Sequence, residues 1–266
     1  MKIPIYQVDA FTVTPFKGNP AAVCILEKPR SDEWMQNVAA EMNLSETAFL
    51  TPQGDDYQLR WFTPQTEVDL CGHATLSAAH ILFEFGFYEP DETIRFNTKS
   101  GLITATSKKG TIELDMPRRQ PVAIPVNEAI QAVFGPEVIG AADYEGKLLI
   151  VELPNGEAVR NIEAEPKVIM QLPYFDLAIT SAGEGKYDFT SRFFSPRSGI
   201  NEDPVTGMAH CSLGPYWEAK LDKTEFLAYQ ASSRGGEVWV KTTPQRVFIG
   251  GKALTILSAE LLRQGE

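Results

Sequence analysis

The chain has 266 residues, with 35 Asp and Glu against 24 Lys and Arg, a net charge of −11 at neutral pH. That balance excludes a surface that tracks nucleic-acid phosphates, which demand a basic face. Hydrophobic content of 43% and charged content of 22% suit a globular chain with one large core or two ordinary ones, and no apolar run approaches the roughly 18 residues of a membrane span.

In chain order, "MKIPIYQVDAF" alternates as a strand and lacks the apolar core and cleavage site of a signal peptide. "AAVCILE" continues the strand pattern. Ser31 is placed to cap a helix over 31–42, with Asp32 and Glu33 in its first turn. "TAFLT" and "YQLRWFT" read as strands, and residues 72–86, "GHATLSAAHILFEFG", predict a helix apolar on nearly every face and therefore buried. Three more strands follow in "TIRFNT", "GLITATS" and "TIELDMP". Prolines and arginines in "MPRRQPVAIP" (116–125) then break the pattern and mark a seam, giving lobes 1–118 and 119–266. The second half predicts strands in "KLLIVEL", "FDLAITS", "DFTSRFF", "FLAYQAS", "GEVWVK", "RVFIGG" and "ALTILSAEL", the last of them able to cross back to the first lobe. Its helix, 207–219, carries Pro215, which predicts a kink or an end.

The halves repeat each other. Phe62-Thr63-Pro64 leads to Gly72, Ala74 and Ser77; Phe194-Ser195-Pro196 leads to Gly207, Ala209 and Ser212. "NTKSGLITAT" (97–106) matches "ASSRGGEVWV" (231–240) in the same order. The pattern predicts an α+β fold of two pseudo-symmetric lobes, each a curved, mostly antiparallel sheet around one buried helix. A helix that starts at a glycine leaves its first N–H groups without intrahelical partners and with partial positive charge, so it can hold a carboxylate without a basic side chain. Two such ends, at Gly72 and Gly207, are expected to face one cleft between the lobes and grip a small carboxylated substrate.

The residues flanking the glycines are Cys71 in one copy and Thr206 in the other. A threonine hydroxyl is a poor base, which argues against a symmetric two-thiol racemase. Cys71 reads either as a thiol base or as a small buried residue. In "MNLSETAFL", Glu46 is either a solvent-facing edge residue or a carboxylate placed in the cleft, where burial would raise its pKa. His73 and His80 lie seven apart, but the helix offers no Asp or Glu at ligand spacing and is apolar, so no metal is expected. His73 reads as a substrate contact and His80 as a core or interface residue. Asp203 reads as a turn residue or a substrate contact, Cys211 as core opposite Leu76, and Arg234 as an aid to anion binding. Three cysteines, an odd number, suit a reducing compartment, the cytoplasm.

Taken together, "LSETAFL", "FTPQTEVDLCGHATLSAAHIL", "FFSPRSGINEDPVTGMAHCSLGPYW" and "SSRGGEV" resemble the phenazine biosynthesis PhzF family over essentially the whole chain. The resemblance implies a diaminopimelate epimerase-like fold, a homodimer, and isomerisation without cofactor or metal. It implies that Glu46 is the acid/base, with Gly72, His73 and Asp203 at the substrate; Gly207 joins them as the second helix start. Where the phenazine enzymes carry a serine after the second glycine, this chain has Met208, which points to a different small amino or hydroxy acid. The alternatives are a thiol-assisted epimerase or dehydratase using Cys71, and a binding protein without catalysis.

Overall fold

A computed structural model describes residues 3–262. The chain runs through β1 (Ile3–Ala10), β2 (Asn19–Ile25), α1 (Asp32–Met42), β3 (Glu46–Gln53), β4 (Asp56–Phe62), β5 (Glu67–Val68), α2 (Gly72–Glu84), β6 (Ile94–Thr98), β7 (Gly101–Lys108) and β8 (Thr111–Pro117). It continues through β9 (Val122–Ile124), α3 (Glu128–Phe134), β10 (Gly140–Tyr144), β11 (Leu148–Glu152), α4 (Gly156–Asn161) and α5 (Pro166–Ile169). The last elements are β12 (Asp176–Ala182), β13 (Phe189–Ser195), β14 (Ile200–Asp203), α6 (Gly207–Leu221), β15 (Glu225–Gln230), β16 (Gly236–Thr242), β17 (Arg246–Gly251) and β18 (Ala253–Leu261). Two compact units result. One holds the residues up to Asp115 and those from Gly250 onward, and the other holds Met116–Ile249.

In the first unit β18 pairs antiparallel with β1, and β1 with β2. β2 then runs parallel to β3, β3 antiparallel to β4, β4 parallel to β6, and β6 antiparallel to β7. The second unit repeats these relations: β11 with β12 parallel, β12 with β13 antiparallel, β13 with β15 parallel, β15 with β16 antiparallel. Even the short strands agree, β5 against β4 and β14 against β13, both antiparallel. The sequence repeat is thus a repeat of strand pairing.

α2 packs against β1, β2, β3, β7 and β18. Its residues Leu76, Ala78, Ala79, Ile81 and Leu82 are fully buried, as its all-round apolarity requires. A separate cluster packs α1 on the strands, where Phe49 meets Trp34 and Phe62 edge to face at 6.0 and 5.6 Å. α1 starts as expected, with the Ser31 hydroxyl accepting from Trp34 N–H at 3.2 Å. α2 ends at Glu84, two residues before the span read from sequence.

At Pro215 the expected helix end is not found. The helix continues through the proline to Leu221. A helical proline leaves the carbonyl four residues earlier without its donor; here that is Cys211 O, and Arg119 N–H supplies the bond at 3.1 Å. The second core gathers Leu149, Val151, Leu177, Ile179 and Phe194 with Ile130 and Phe134 of α3. α3, α4 and α5 had no counterpart in the sequence reading, since such short helices present too few turns to show a period. Among the described residues no helix is long and apolar enough to cross a membrane.

Candidate active site

Glu46 opens β3, immediately after α1 closes with Asn43 in the left-handed region at φ 49°. Its neighbours across the ladder are β2, with Ala21 opposite Glu46, and β4. Flanked on both sides, the side chain is buried at 8% exposure. The solvent-facing edge reading therefore fails: β3 is an interior strand, and its first residue points inward with the apolar ones. Asp9 and Asn19 are buried in the same unit. The turn that delivers Asn19 needs Gly18, at φ 67°, because a Cβ there would lie 2.1 Å from Ala10 O.

The start of α2 faces this carboxylate. His73 Nε2 lies 3.2 Å from Glu46 Oε2, and its Nδ1 lies 3.5 Å from Cys71 Sγ. The imidazole thus bridges a carboxylate and a thiol. Cys71 is the N-cap, with no side-chain cap bond, so the first-turn amides are left for other acceptors. Thr75 Oγ1 and Ser77 Oγ donate to Cys71 O and His73 O at 2.5 and 2.9 Å, which steadies the turn that carries both groups. Glu46, Cys71, Gly72 and His73 are therefore one cluster.

The two histidines of α2 have separate surroundings, as expected. His80 does not share a site with His73. It contacts Thr255 Oγ1 at 3.1 Å and Glu84 at 3.2 Å; Glu84, four residues on, is a carboxylate at ligand spacing on this helix, where none is expected from the sequence. The donors that do converge are Glu46, Cys71 and His73, whose ligand atoms lie within 4.8 Å of one another. That donor set suits a zinc ion as well as proton transfer, so the absence of metal needs a direct test.

In the second unit, Asp203, Thr206 and Gly207 form a separate cluster. The Thr206 hydroxyl donates to Asp203 Oδ2. Gln230 ties both: its amide donates to Asp203 O at 2.7 Å and its carbonyl accepts from Thr206 N–H at 2.9 Å. Asp203 and Thr206 are buried, so Asp203 is more than an exposed turn residue. Met208 follows Gly207 in the first turn of α6 and is half-buried. Gln230 was not legible in sequence, because a buried glutamine at a strand end carries no pattern. Cys211 is core, as expected.

Burial pushes His73 down to about 3 and His210, whose Nδ1 bonds Thr206 O at 2.8 Å, down to about 4, both from 6.5. Both rings are neutral in the folded chain at neutral pH. The unfolded chain takes up these protons below pH 6.5 and the native one does not. Stability is therefore full above pH 6.5 and is lost as pH falls toward the folded values, by about 2 kcal/mol per ring at pH 5. Urea midpoints at pH 7.5 and 5.0 read this directly. NMR ring signals of His73 or His210 titrating near 6.5 would contradict it.

A family model described as phenazine biosynthesis-like protein (PhzC-PhzF) matches residues 8–259. An uncharacterized isomerase of Halalkalibacterium halodurans is 50% identical, over 98% of this chain and 99% of its own. The crystal structure of a PhzF family protein from Enterococcus faecalis superposes with a TM-score of 0.93 at 42% identity, covering 99% of this chain and all of that one. A hydroxyproline epimerase from Agrobacterium vitis shares only the fold, with a TM-score of 0.64 at 12% identity over 98% of this chain and 92% of that one. The fold is the diaminopimelate epimerase-like one.

Proposed function

We propose, from the premise that this chain belongs to the phenazine biosynthesis-like family and is an isomerase, that Glu46 moves a proton between carbons of a small carboxylated amino or hydroxy acid. The observation that carries the reading is the buried Glu46 carboxylate 3.2 Å from His73 at the uncapped start of α2. A carboxylate has two oxygens, so one group receives a proton at one carbon and returns it at a neighbour. Neutral His73 places Nε2 3.2 Å from the Glu46 carboxylate and packs beside it. The first-turn amides of α2, from Gly72 on, take the substrate carboxylate, a role that suits an acidic chain because it needs no basic side chain. Asp203 and Gly207 are proposed as substrate-binding residues of the second unit, and the proposed chemistry uses neither metal nor organic cofactor.

The test is proton exchange. The protein is incubated in heavy water with a panel of small amino and hydroxy acids, before and after dialysis against a chelator. Deuterium uptake at carbon in at least one acid, unchanged by the chelator, is expected. Tight binding without exchange would leave a ligand-binding protein, and loss of exchange on chelation, restored by zinc, would make the trio a metal centre.

A second reading is favoured by the 3.5 Å contact between Cys71 Sγ and His73 Nδ1, the geometry of a thiol beside its base. Burial pushes the other two thiols, Cys24 and Cys211, up to about 12, which leaves them inert. Inactivation by iodoacetamide at Cys71, with protection by substrate, would support a thiol-assisted epimerase or dehydratase.

A further inference from the structure

The two units place a carboxylate at the same point of the same topology. In the first, parallel β2 and β3 set Ala21 opposite Glu46, and Thr47 pairs with Phe62. In the second, parallel β11 and β12 set Leu148 opposite Asp176, and Leu177 pairs with Phe194. Asp176 is thus the counterpart of Glu46, and Met208, one residue past Gly207, is the counterpart of His73. The surroundings differ. Aspartate is one methylene shorter than glutamate, and a flexible thioether replaces the imidazole. Asp176 and Met208 line a cavity of about 280 Å³ whose walls also include Arg119, Tyr144, Phe175 and Phe193.

That cavity carries two opposite charges that do not neutralise each other. Asp176 Oδ1 accepts from Ser195 Oγ at 2.6 Å, and Asp176 N–H is fixed to Lys147 O at 2.8 Å. Arg119 lies over the Tyr144 ring at 5.6 Å and forms no ion pair among the described residues. Lys147, also on the wall, pairs with Glu145 at 3.0 Å. Burial raises the Asp176 pKa and the Arg119 charge opposes this, so the two sense each other across the space. Phe175, at 49% exposure, adds an aromatic wall to the cavity.

We propose that this cavity of the second unit is a binding site for a small zwitterion, an α-amino acid with an apolar side chain. The ligand carboxylate meets Arg119, its ammonium meets Asp176, and its side chain lies against Phe175, Phe193 and Met208. The volume holds roughly nine waters and falls near the lower end of ligand cavities, the size of one amino acid. An apolar wall with a few convergent charges is the usual make-up of such sites. A carboxylate alone would leave Asp176 unmatched in a partly desolvated place, and an amine alone would leave Arg119 so.

The probes are L-phenylalanine, 3-phenylpropionate, which lacks the ammonium, and phenethylamine, which lacks the carboxylate. Calorimetric titration into the full chain measures binding and not turnover, so the result stands apart from any role of Glu46. L-Phenylalanine is expected to bind with a dissociation constant of about 1 mM or below, and each analogue about tenfold or more weaker. Asp176→Asn should weaken L-phenylalanine by a similar factor and leave 3-phenylpropionate unchanged; Arg119→Gln should weaken L-phenylalanine and spare phenethylamine. Met208→Trp, which fills the cavity from the helix, should abolish all three. Melting curves confirm folding, and if Asp176→Asn does not fold, Arg119→Gln and Met208→Trp decide. No binding of any probe, analogues as tight as the amino acid, or affinities indifferent to the substitutions would each overturn the proposal.

Discussion

Glu46→Gln is expected to lower deuterium exchange into a confirmed substrate by about a hundredfold or more. The substitution keeps the shape of a buried side chain at 8% exposure and removes only its ability to take and return a proton. Gln can still meet His73 across the 3.2 Å contact, so the start of α2 should stay in place. Cys71→Ser is the matched control. It retains a small polar N-cap next to His73, and most turnover should survive, with changes confined to packing and substrate affinity. A lone thiol removes a proton from one face only, and racemisation would need a second base. Melting curves for both variants separate lost chemistry from lost fold. An inactive Cys71→Ser beside a near-normal Glu46→Gln would reverse the assignment and make the glutamate structural.

Trp217→Ala is expected to cost about 3–5 kcal/mol of stability, lowering Tm by roughly 6–20 °C. Trp217 is 2% exposed in α6. Its indole stacks on Phe189 at 5.8 Å and meets Tyr216 edge to face at 5.6 Å. Its Nε1–H donates to Thr180 Oγ1 at 3.0 Å. Thr180 keeps its own donation to Thr190 O at 2.8 Å, so truncation orphans no donor and the loss is mainly cavity and contact. The helix has little room to close the gap, because Gly214 already lies where a Cβ would sit 2.8 Å from Val240 Cγ1. Trp217→Phe, which keeps a ring, should recover most of the stability. A loss below about 1 kcal/mol for the alanine variant would mean that the aromatic packing of Trp217 on Phe189 and Tyr216 relaxes freely, against this description of it.

Several things were determined by the order of residues alone. The duplication was legible because its signals are local: an aromatic-Thr/Ser-Pro turn, a glycine at a helix start, and all-round apolarity over 72–86. The α+β class and most strands follow from period-two alternation, which survives in any context. Glu46 was visible only as a choice. A carboxylate before an apolar strand looks the same whether that strand is an edge or lies between two neighbours, and only the pairing of β2 and β4 on either side buried it. The passage of α6 through Pro215 was decided by a backbone donor 96 positions away in the sequence, Arg119 N–H on Cys211 O. The joining of Cys71, His73 and Glu46, and of Asp203 and Thr206 with Gln230, was likewise settled in three dimensions. Contacts between distant segments depend on strand register, and a shift of one residue would turn the strand side chains Glu46, Asp203 and Gln230 to the opposite face.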